Sequence, residues 1–245
     1  MGLPEHCITP DWPAPSNVKA LQTTRLGGIS AAPYDTLNFG MHVGDAPQTV
    51  VRNRQLLEPL MPSEPVWLEQ VHGTVVVSAD ATSCVPQADA CIARHRGSVC
   101  VVMTADCLPV LLCDEGGTVV GAAHAGWKGL AAGVIEATVK AMDVAPHKLM
   151  AWLGPAIGQD SFEVGAEVRA AFVAHQAKAA EAFIAHGEQG KYHADIYLLA
   201  RQRLHSLGIT RIYGGTFCTY RQKDQFFSYR RDGVTGRMGT FIWLA

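Results

Sequence analysis

Three side chains suited to metal or nucleophilic chemistry stand at the ends of short apolar runs: His72 in QVHG, Cys107 in TADC and His124 in AAHAG. Each lies next to a turn residue or a glycine, where side chains from different strand ends can converge. Two imidazoles and a thiolate make a zinc triad with a fourth position open to water or substrate. The soft thiolate favours zinc or copper over magnesium or calcium. The intervals, 35 residues from His72 to Cys107 and 17 from Cys107 to His124, match no short metal signature. Two other readings therefore stand beside the triad. One is a Cys–His nucleophilic pair without metal; the other is a buried thiol with an imidazole satisfied by backbone.

The surrounding residues add candidates for substrate binding. Asp106 precedes Cys107 and either orients a histidine ligand or closes an Asx turn at the strand end. HAGWKGLAAG reads as a strand-to-helix turn whose backbone N–H groups can receive an anion, with Lys128 adding charge. The GxxxxGK[ST] phosphate loop is absent. Trp127 either stacks on a planar ring or covers the core. Arg25 in TTRLGG, and Arg230, Arg231 and Arg237 in SYRRDGVTGR, are further anion candidates because they sit among glycines and small polar residues.

The elements that must position these groups are clearest in the middle of the chain. SVCVVMT, LPVLLCD and TVVGAAH are short apolar runs separated by turn residues, as buried strands are. WKGLAAGVIEATVKAMD shifts to a helical period, with Leu130, Val134, Ile135, Thr138, Val139 and Met142 on one side. VKALQTTR, LMAWLG, TRIYGGTF, FFSYRR and MGTFIWL read as extended, and VWLEQVHGTVVVSAD as β-rich and broken at Gly73. DAPQTVVRNRQLLEPL reads as a helix with Asp45 as its N-cap. EVGAEVRAAFVAHQAKAAEAFIAH reads as a second helix, and ADIYLLARQRLHSLG as a third ending at Gly208. Adjacent strands without intervening helices imply a mixed or antiparallel sheet with helices outside. The expectation is one α+β domain over residues 1–245.

Composition narrows the function classes. Hydrophobic residues make up 48% of the 245 and charged residues 17%, enough apolar content for a sizeable core and far from a disordered composition. A net charge of −2 gives no electrostatic footprint for nucleic acid. The N-terminal MGLPEHCITP lacks the basic start and apolar core of a signal peptide, and Gly2 begins no convincing myristoylation signal. No window reaches the roughly 18 consecutive apolar residues of a spanning helix. A cytoplasmic protein without a membrane partner is expected. Its seven cysteines include no CxxC pair, so reduced thiols are expected rather than a disulfide framework.

Taken together, QVHG, MTADCLPVLL, AAHAGWKGLAAGV, WLGPAIG with FEVG, and FFSYRRDGVTGRM resemble the YfiH family, whose members have been called multicopper polyphenol oxidases, laccase-domain proteins, peptidoglycan editing factors and purine nucleoside phosphorylases. The resemblance runs from TTRLGGIS and LNFGMHVGD to FIWLA, nearly the whole chain. It implies a single-domain mixed β-sheet sandwich with flanking helices, related to certain toxin deamidases. It also implies that His72, Cys107 and His124 are the metal ligands and the catalytic centre, holding zinc, with copper as the other candidate. Arg25 and Asn38 match the TTRxGG and LNxG motifs and are expected to line the same cleft, with Asp106, Lys128 and Arg231 as further substrate contacts. Two departures stand out: Val75 where relatives often carry an acid, and Lys128 where many carry arginine, which loses the bidentate fork.

The resemblance implies zinc-dependent phosphorolysis of purine nucleosides (adenosine, inosine, guanosine and methylthioadenosine), with some adenosine deamination. The partners would be a purine nucleoside and phosphate, and the protein a monomer or small homo-oligomer. Phosphate held by Arg25 and Lys128 would attack ribose C1′ through an oxocarbenium-like transition state. Deamination would direct metal-activated water at purine C6 without the HxE…PCxxC signature of the usual zinc deaminases. A copper-dependent polyphenol oxidase fits poorly, because a multicopper enzyme needs many close histidines and the ten present include no HxH pair. Hydrolytic editing of UDP-muramoyl precursors, and a non-catalytic metal-binding module, are the remaining alternatives.

Overall fold

The structure, a computed structural model, describes residues 6–81 and 84–245. The readings of the first residues fall partly on 1–5, outside the described residues. The strands, in chain order, are β1 (Cys7–Ile8), β2 (Val18–Thr23), β3 (Val76–Ser78), β4 (Ala90–Ala93), β5 (Val99–Thr104), β6 (Leu108–Asp114) and β7 (Val120–Ala125). There follow β8 (Leu149–Leu153), β9 (Glu163–Gly165), β10 (Phe183–Ala185), β11 (Lys191–Ala194), β12 (Arg211–Gly214) and β13 (Met238–Leu244). The helices are α1 (Pro47–Gln55), α2 (Trp127–Ala132), α3 (Val134–Met142), α4 (Ala166–His175), α5 (Ile196–Ser206) and the single turn α6 (Tyr229–Asp232).

These strands form a four-stranded sheet ordered β1-β2-β13-β5, a six-stranded sheet ordered β12-β8-β6-β7-β4-β3, and a small sheet ordered β10-β11-β9. The six-stranded sheet is mixed: β12–β8 and β4–β3 are parallel, and the central pairs are antiparallel. The architecture is a mixed α+β domain, as the sequence implied.

Period-two alternation assigns each side chain to a layer. Along β5, Val99, Val101 and Met103 join Phe39, Trp67 and Phe241 on the outer face of the four-stranded sheet. Cys100 and Val102 instead face the six-stranded sheet, meeting Leu111, Cys113, Val120 and Ala122. The opposite faces of β6 and β7, with Leu108, Val110, Leu112, Ala123 and Ala125, pack under the helices. Strands buried on both faces explain why their sequences read as continuous apolar runs. On β7, His124 shares parity with Val120 and Ala122, so the strand carries it into the seam between the sheets.

Four local readings are corrected by the structure. The helix expected across WKGLAAGVIEATVKAMD is two, broken where Gly133 takes φ 100 in the left-handed region. Asp45 is not an N-cap. Ala46 occupies that position, and the Asp45 carboxylate accepts instead from Ser30 Oγ and Asn38 Nδ2. The helix expected across residues 163–186 stops at His175, because Gln176 is extended at φ −150. Beyond it Ala179 and Ala182 pack in a 3-10 turn, and Phe183–Ala185 pairs with β11. Tertiary packing overrides the helix preference of the alanines. FFSYRR is not a strand: Phe226 and Phe227 are both fully buried, and the Ser228 hydroxyl accepts from Arg231 N to start α6.

No helix among the described residues is long and apolar enough to cross a membrane, and all seven cysteines are free. The turn between β6 and β7 hangs on one carboxylate. Asp114 accepts from the amides of Gly116, Thr118 and Val119 and from the Thr118 hydroxyl. Burial works to raise its pKa, but these donors hold it below the ordinary carboxylate value. Replacing Asp114 with alanine should cost about 1–3 kcal/mol at neutral pH by orphaning those amides. Because the folded pKa is depressed, the stability this carboxylate contributes is present above its unfolded pKa and fades as pH falls through the folded one. Chemical unfolding of both proteins at several pH values should show the gap between them narrowing in acid.

Candidate metal site and active cleft

Three segments deliver the chemistry-bearing side chains to one end of the six-stranded sheet. His124 sits one residue from the end of β7, opposite Pro109 of β6. Cys107 closes the β5–β6 turn, where Asp106 takes φ 87. His72 lies on the loop before β3 with φ 61. Non-glycine residues in the left-handed region are uncommon and gather at functional sites. The donor atoms of His72, Cys107 and His124 all lie within 4.8 Å of one another. Cys107 Sγ is 3.7 Å from His72 Nε2, and the two imidazole rings meet edge to face at 4.8 Å.

One residue not anticipated from the sequence organises this arrangement. Asp89 is fully buried. Its Oδ1 lies 2.8 Å from His124 Nδ1 and accepts the His72 amide at 2.9 Å. Its Oδ2 accepts the amides of Gly73 at 2.6 Å and Val71 at 3.2 Å. The same residue's backbone carbonyl accepts the His124 amide at 2.7 Å. One carboxylate therefore fixes the strained His72 loop and places the His124 Nδ1 proton, leaving Nε2 as the ligating atom. A metal-binding imidazole needs such a partner.

Glycines complete the cradle. A Cβ on Gly126 would lie 2.8 Å from His72 Cδ2 and 2.9 Å from Cys107 Sγ. One on Gly129 would lie 2.9 Å from the Gly73 carbonyl. The glycines of HAGWKG thus let the start of α2 close against the His72 loop, and no side chain fills the space beside the donors.

The electrostatics suit a cation. Burial works to raise the Cys107 pKa, but the adjacent His124 and His72 imidazoles bring it down to about 6. Burial works to lower the His124 pKa, yet the Cys107 thiolate and the Asp89 carboxylate lift it to about 9. Both shifts have the same cause: negative charge on Cys107 and positive charge beside it favour each other. A divalent metal would supply that positive charge and displace the imidazolium proton.

The three donors line a cleft of about 450 Å³ together with His42, Gln70, Met103, Thr104, Ala105, Tyr229 and Arg237. On the other side of Cys107 and Tyr229 lies a smaller pocket of about 160 Å³, walled by Trp127, Ile157, Phe162, Ile196 and Arg230 and by Ala105 and Asp106.

The chain is similar to proteins already known. A family model described as multi-copper polyphenol oxidoreductase laccase matches residues 19–245. The purine nucleoside phosphorylase YfiH of Escherichia coli (strain K12) is 55% identical over 240 residues, covering 97% of this chain and 98% of that one. The chain belongs to the YfiH family. Within it, the purine nucleoside phosphorylase PA4543 of Pseudomonas aeruginosa is 54% identical over 237 residues, covering 97% of this chain and 98% of its own length. Among solved structures, Neisseria meningitidis protein NMB0706 superposes with a TM-score of 0.95 at 52% identity, over 98% of this chain and 99% of that one. YlmD from Geobacillus stearothermophilus gives 0.87 at 30% identity, over 100% and 98%.

The other residues singled out from YfiH-family motifs are placed differently from the three donors. Arg25 binds the Asp35 carbonyl and carboxylate and the Lys223 carbonyl, and lies over the Phe227 ring, outside the cleft lining. Asn38 is fully buried; its Oδ1 accepts the amides of Gly40 and Arg237 and its Nδ2 donates to Asp45. Lys128 is exposed beside the Trp127 ring. Arg231 is engaged by Asp232 and by the carbonyls of Thr219, Tyr220 and Phe226. Asp106 lines the small pocket, where its oxygens accept the Thr219 hydroxyl at 2.6 Å and the Arg230 amide at 2.7 Å. It anchors the C-terminal segment, while the histidine-orienting contact comes from Asp89. Of the YfiH-family arginines considered, Arg237 is the one that lines the cleft with the three donors.

Proposed function

We propose that this protein is a zinc-dependent purine nucleoside phosphorylase, converting adenosine, inosine, guanosine and methylthioadenosine to free base and the corresponding pentose 1-phosphate. The observation that carries the reading is the adjacency at Cys107. A cleft with the His72–Cys107–His124 donors lies on one side, and an apolar, aromatic-walled pocket on the other. The names of the 55% and 54% identical relatives support the same reaction.

In this reading the purine occupies the small pocket against Trp127, Phe162 and Tyr229. The Asp106 carboxylate on its wall is already committed to Thr219 and Arg230. A base held by apolar contact is only weakly discriminated by its 6-substituent, which suits a substrate range of both 6-amino and 6-oxo purines. The ribose would then cross Cys107 into the donor-lined cleft.

Phosphorolysis breaks the C1′–N9 bond, with its electron pair leaving on the purine. An oxygen of hydrogen phosphate forms the new bond to C1′, and the phosphate proton ends on the base. His72, Cys107 and His124 would hold the zinc, and when bound it supplies Lewis-acid polarisation and positive charge. Asp89 keeps His124 in one tautomer and His72 in place. Tyr229, shared by both hollows, marks where base and sugar divide.

The deciding experiment is mass spectrometry of products from zinc-loaded protein given adenosine and phosphate, with Cys107→Ala alongside to expose contaminating phosphorylase. Adenine and ribose 1-phosphate from the wild type alone are the expected result. Inosine as the one product would assign adenosine deamination instead. No product from folded, zinc-containing protein would overturn the reading in favour of the muramoyl-precursor hydrolase.

A further inference from the structure

Arginines drawn out of solvent normally have counter-ions. The half-buried Arg237, whose pKa burial pushes down, has no carboxylate within 4.0 Å among the described residues. Its backbone is nonetheless held tightly: the amide donates to Asn38 Oδ1 at 2.9 Å and the carbonyl accepts from Phe39 at 3.1 Å. Its Nη1 donates to the Thr235 and Gly236 carbonyls, both at 3.0 Å. Fixing Nη1 orients the guanidinium plane and leaves the Nε–Nη2 edge without a protein partner among the described residues. That edge is the side-on fork with which arginine grips two oxygens of a phosphate.

The setting points to the same ligand class. No aspartate or glutamate lines the 450 Å³ cleft, and Asp89 behind it has both oxygens occupied. His42, Arg237 and Tyr229 line both the cleft and an adjoining hollow of about 520 Å³, whose one acid, Asp232, is gripped through both oxygens by Arg231. No hydrogen bond satisfies the His42 ring among the described residues, so its N–H can reach an anion at the cleft mouth.

We infer that Arg237 and His42 form the phosphate subsite of the cleft, with the Arg237 Nε–Nη2 edge taking two phosphate oxygens and His42 a third. This rests on the phosphorylase reading for its role, but not for its chemistry, since an oxyanion-binding site can be tested without turnover. It gives Asn38 a positioning part: through its Oδ1 it sets the register of Arg237 without touching substrate. It also leaves Arg25 and Lys128 out of phosphate binding.

The test compares zinc-loaded wild type, Arg237→Gln, Arg237→Lys and His42→Ala. Expected for Arg237→Gln is a rise in KM for phosphate of about 10- to 100-fold, with KM for adenosine within about two-fold of wild type. Lysine should restore part of the loss, and His42→Ala, an exposed change with little risk to folding, should raise the phosphate KM alone and by less. Unchanged phosphate KM in Arg237→Gln and His42→Ala would overturn the assignment, as would an equal rise in both KM values. Inorganic phosphate should also raise the wild-type melting temperature and fail to do so for Arg237→Gln. If wild type makes no sugar phosphate, the phosphorylase reading falls, and this thermal shift alone decides the anion site: its absence in wild type would overturn it.

Discussion

Replacing Asp89 with alanine is expected to weaken zinc binding about 10- to 100-fold and to destabilise the metal-free protein by about 3–5 kcal/mol. The two effects have one cause. The carboxylate is fully buried and receives His124 Nδ1 together with three consecutive amides from Val71 to Gly73. Its removal orphans all four donors around a carboxylate that is itself fully buried. It also frees the His124 ring to change tautomer and releases the φ 61 conformation of His72. Competition against a chromophoric chelator would measure the affinity, and urea unfolding of the metal-free forms the stability. Asp89→Asn separates shape from charge. It fills the same volume but presents a donor to donors, and should lose nearly as much affinity as alanine. Affinity within about two-fold of wild type in both variants would remove Asp89 from the site's architecture.

Gly126→Ala is expected to spare the fold and damage the metal site. Gly126 has φ −62 and ψ 156, a conformation open to any residue, so the backbone does not require glycine. What excludes a side chain is crowding: the added methyl would come 2.8 Å from His72 and 2.9 Å from Cys107 Sγ. Overpacking of this kind costs about 1–3 kcal/mol, which falls on the donor geometry and corresponds to about 5- to 150-fold in metal affinity. The measurement is zinc stoichiometry and affinity beside a melting curve of the metal-free protein. A normal melt with weakened zinc binding is the expected pair. Normal zinc binding would show that His72 and Cys107 yield without cost and that the glycine has another purpose.

What the sequence disclosed and what it withheld follow from the range of the interactions concerned. That His72, Cys107 and His124 converge was foreseeable because each punctuates an apolar run, and strand ends are where a sheet exposes side chains. Asp89 was not, because QADA resembles an ordinary turn and its partners lie 17 and 35 residues away on two other elements. Its one local signal is an acid directly before the four buried residues Ala90–Ala93, a place where a charge must find donors. Arg237 could not be separated from Arg230 and Arg231 by composition. The distinction is tertiary: Arg231 pairs with Asp232, Arg230 donates to the Glu163 carbonyl and walls the small pocket, and Arg237 lines the cleft with the three donors. The doubly buried strands were evident from continuous hydrophobicity. The alanine-rich run after His175 was not, since alanine's helix preference says nothing about the pairing of Phe183–Ala185 with β11.

The hold of Asp89 on both histidine segments also bears on which element the protein would carry. In a small zinc domain the ion organises the chain, and selection for zinc is built into folding. Here the donors are already assembled by strand ends and a buried carboxylate, so an ion would be a guest rather than a staple. By affinity alone, such a donor set would bind copper more tightly than zinc, so the geometry held by Asp89 and the metal available to the protein would together decide which ion it takes.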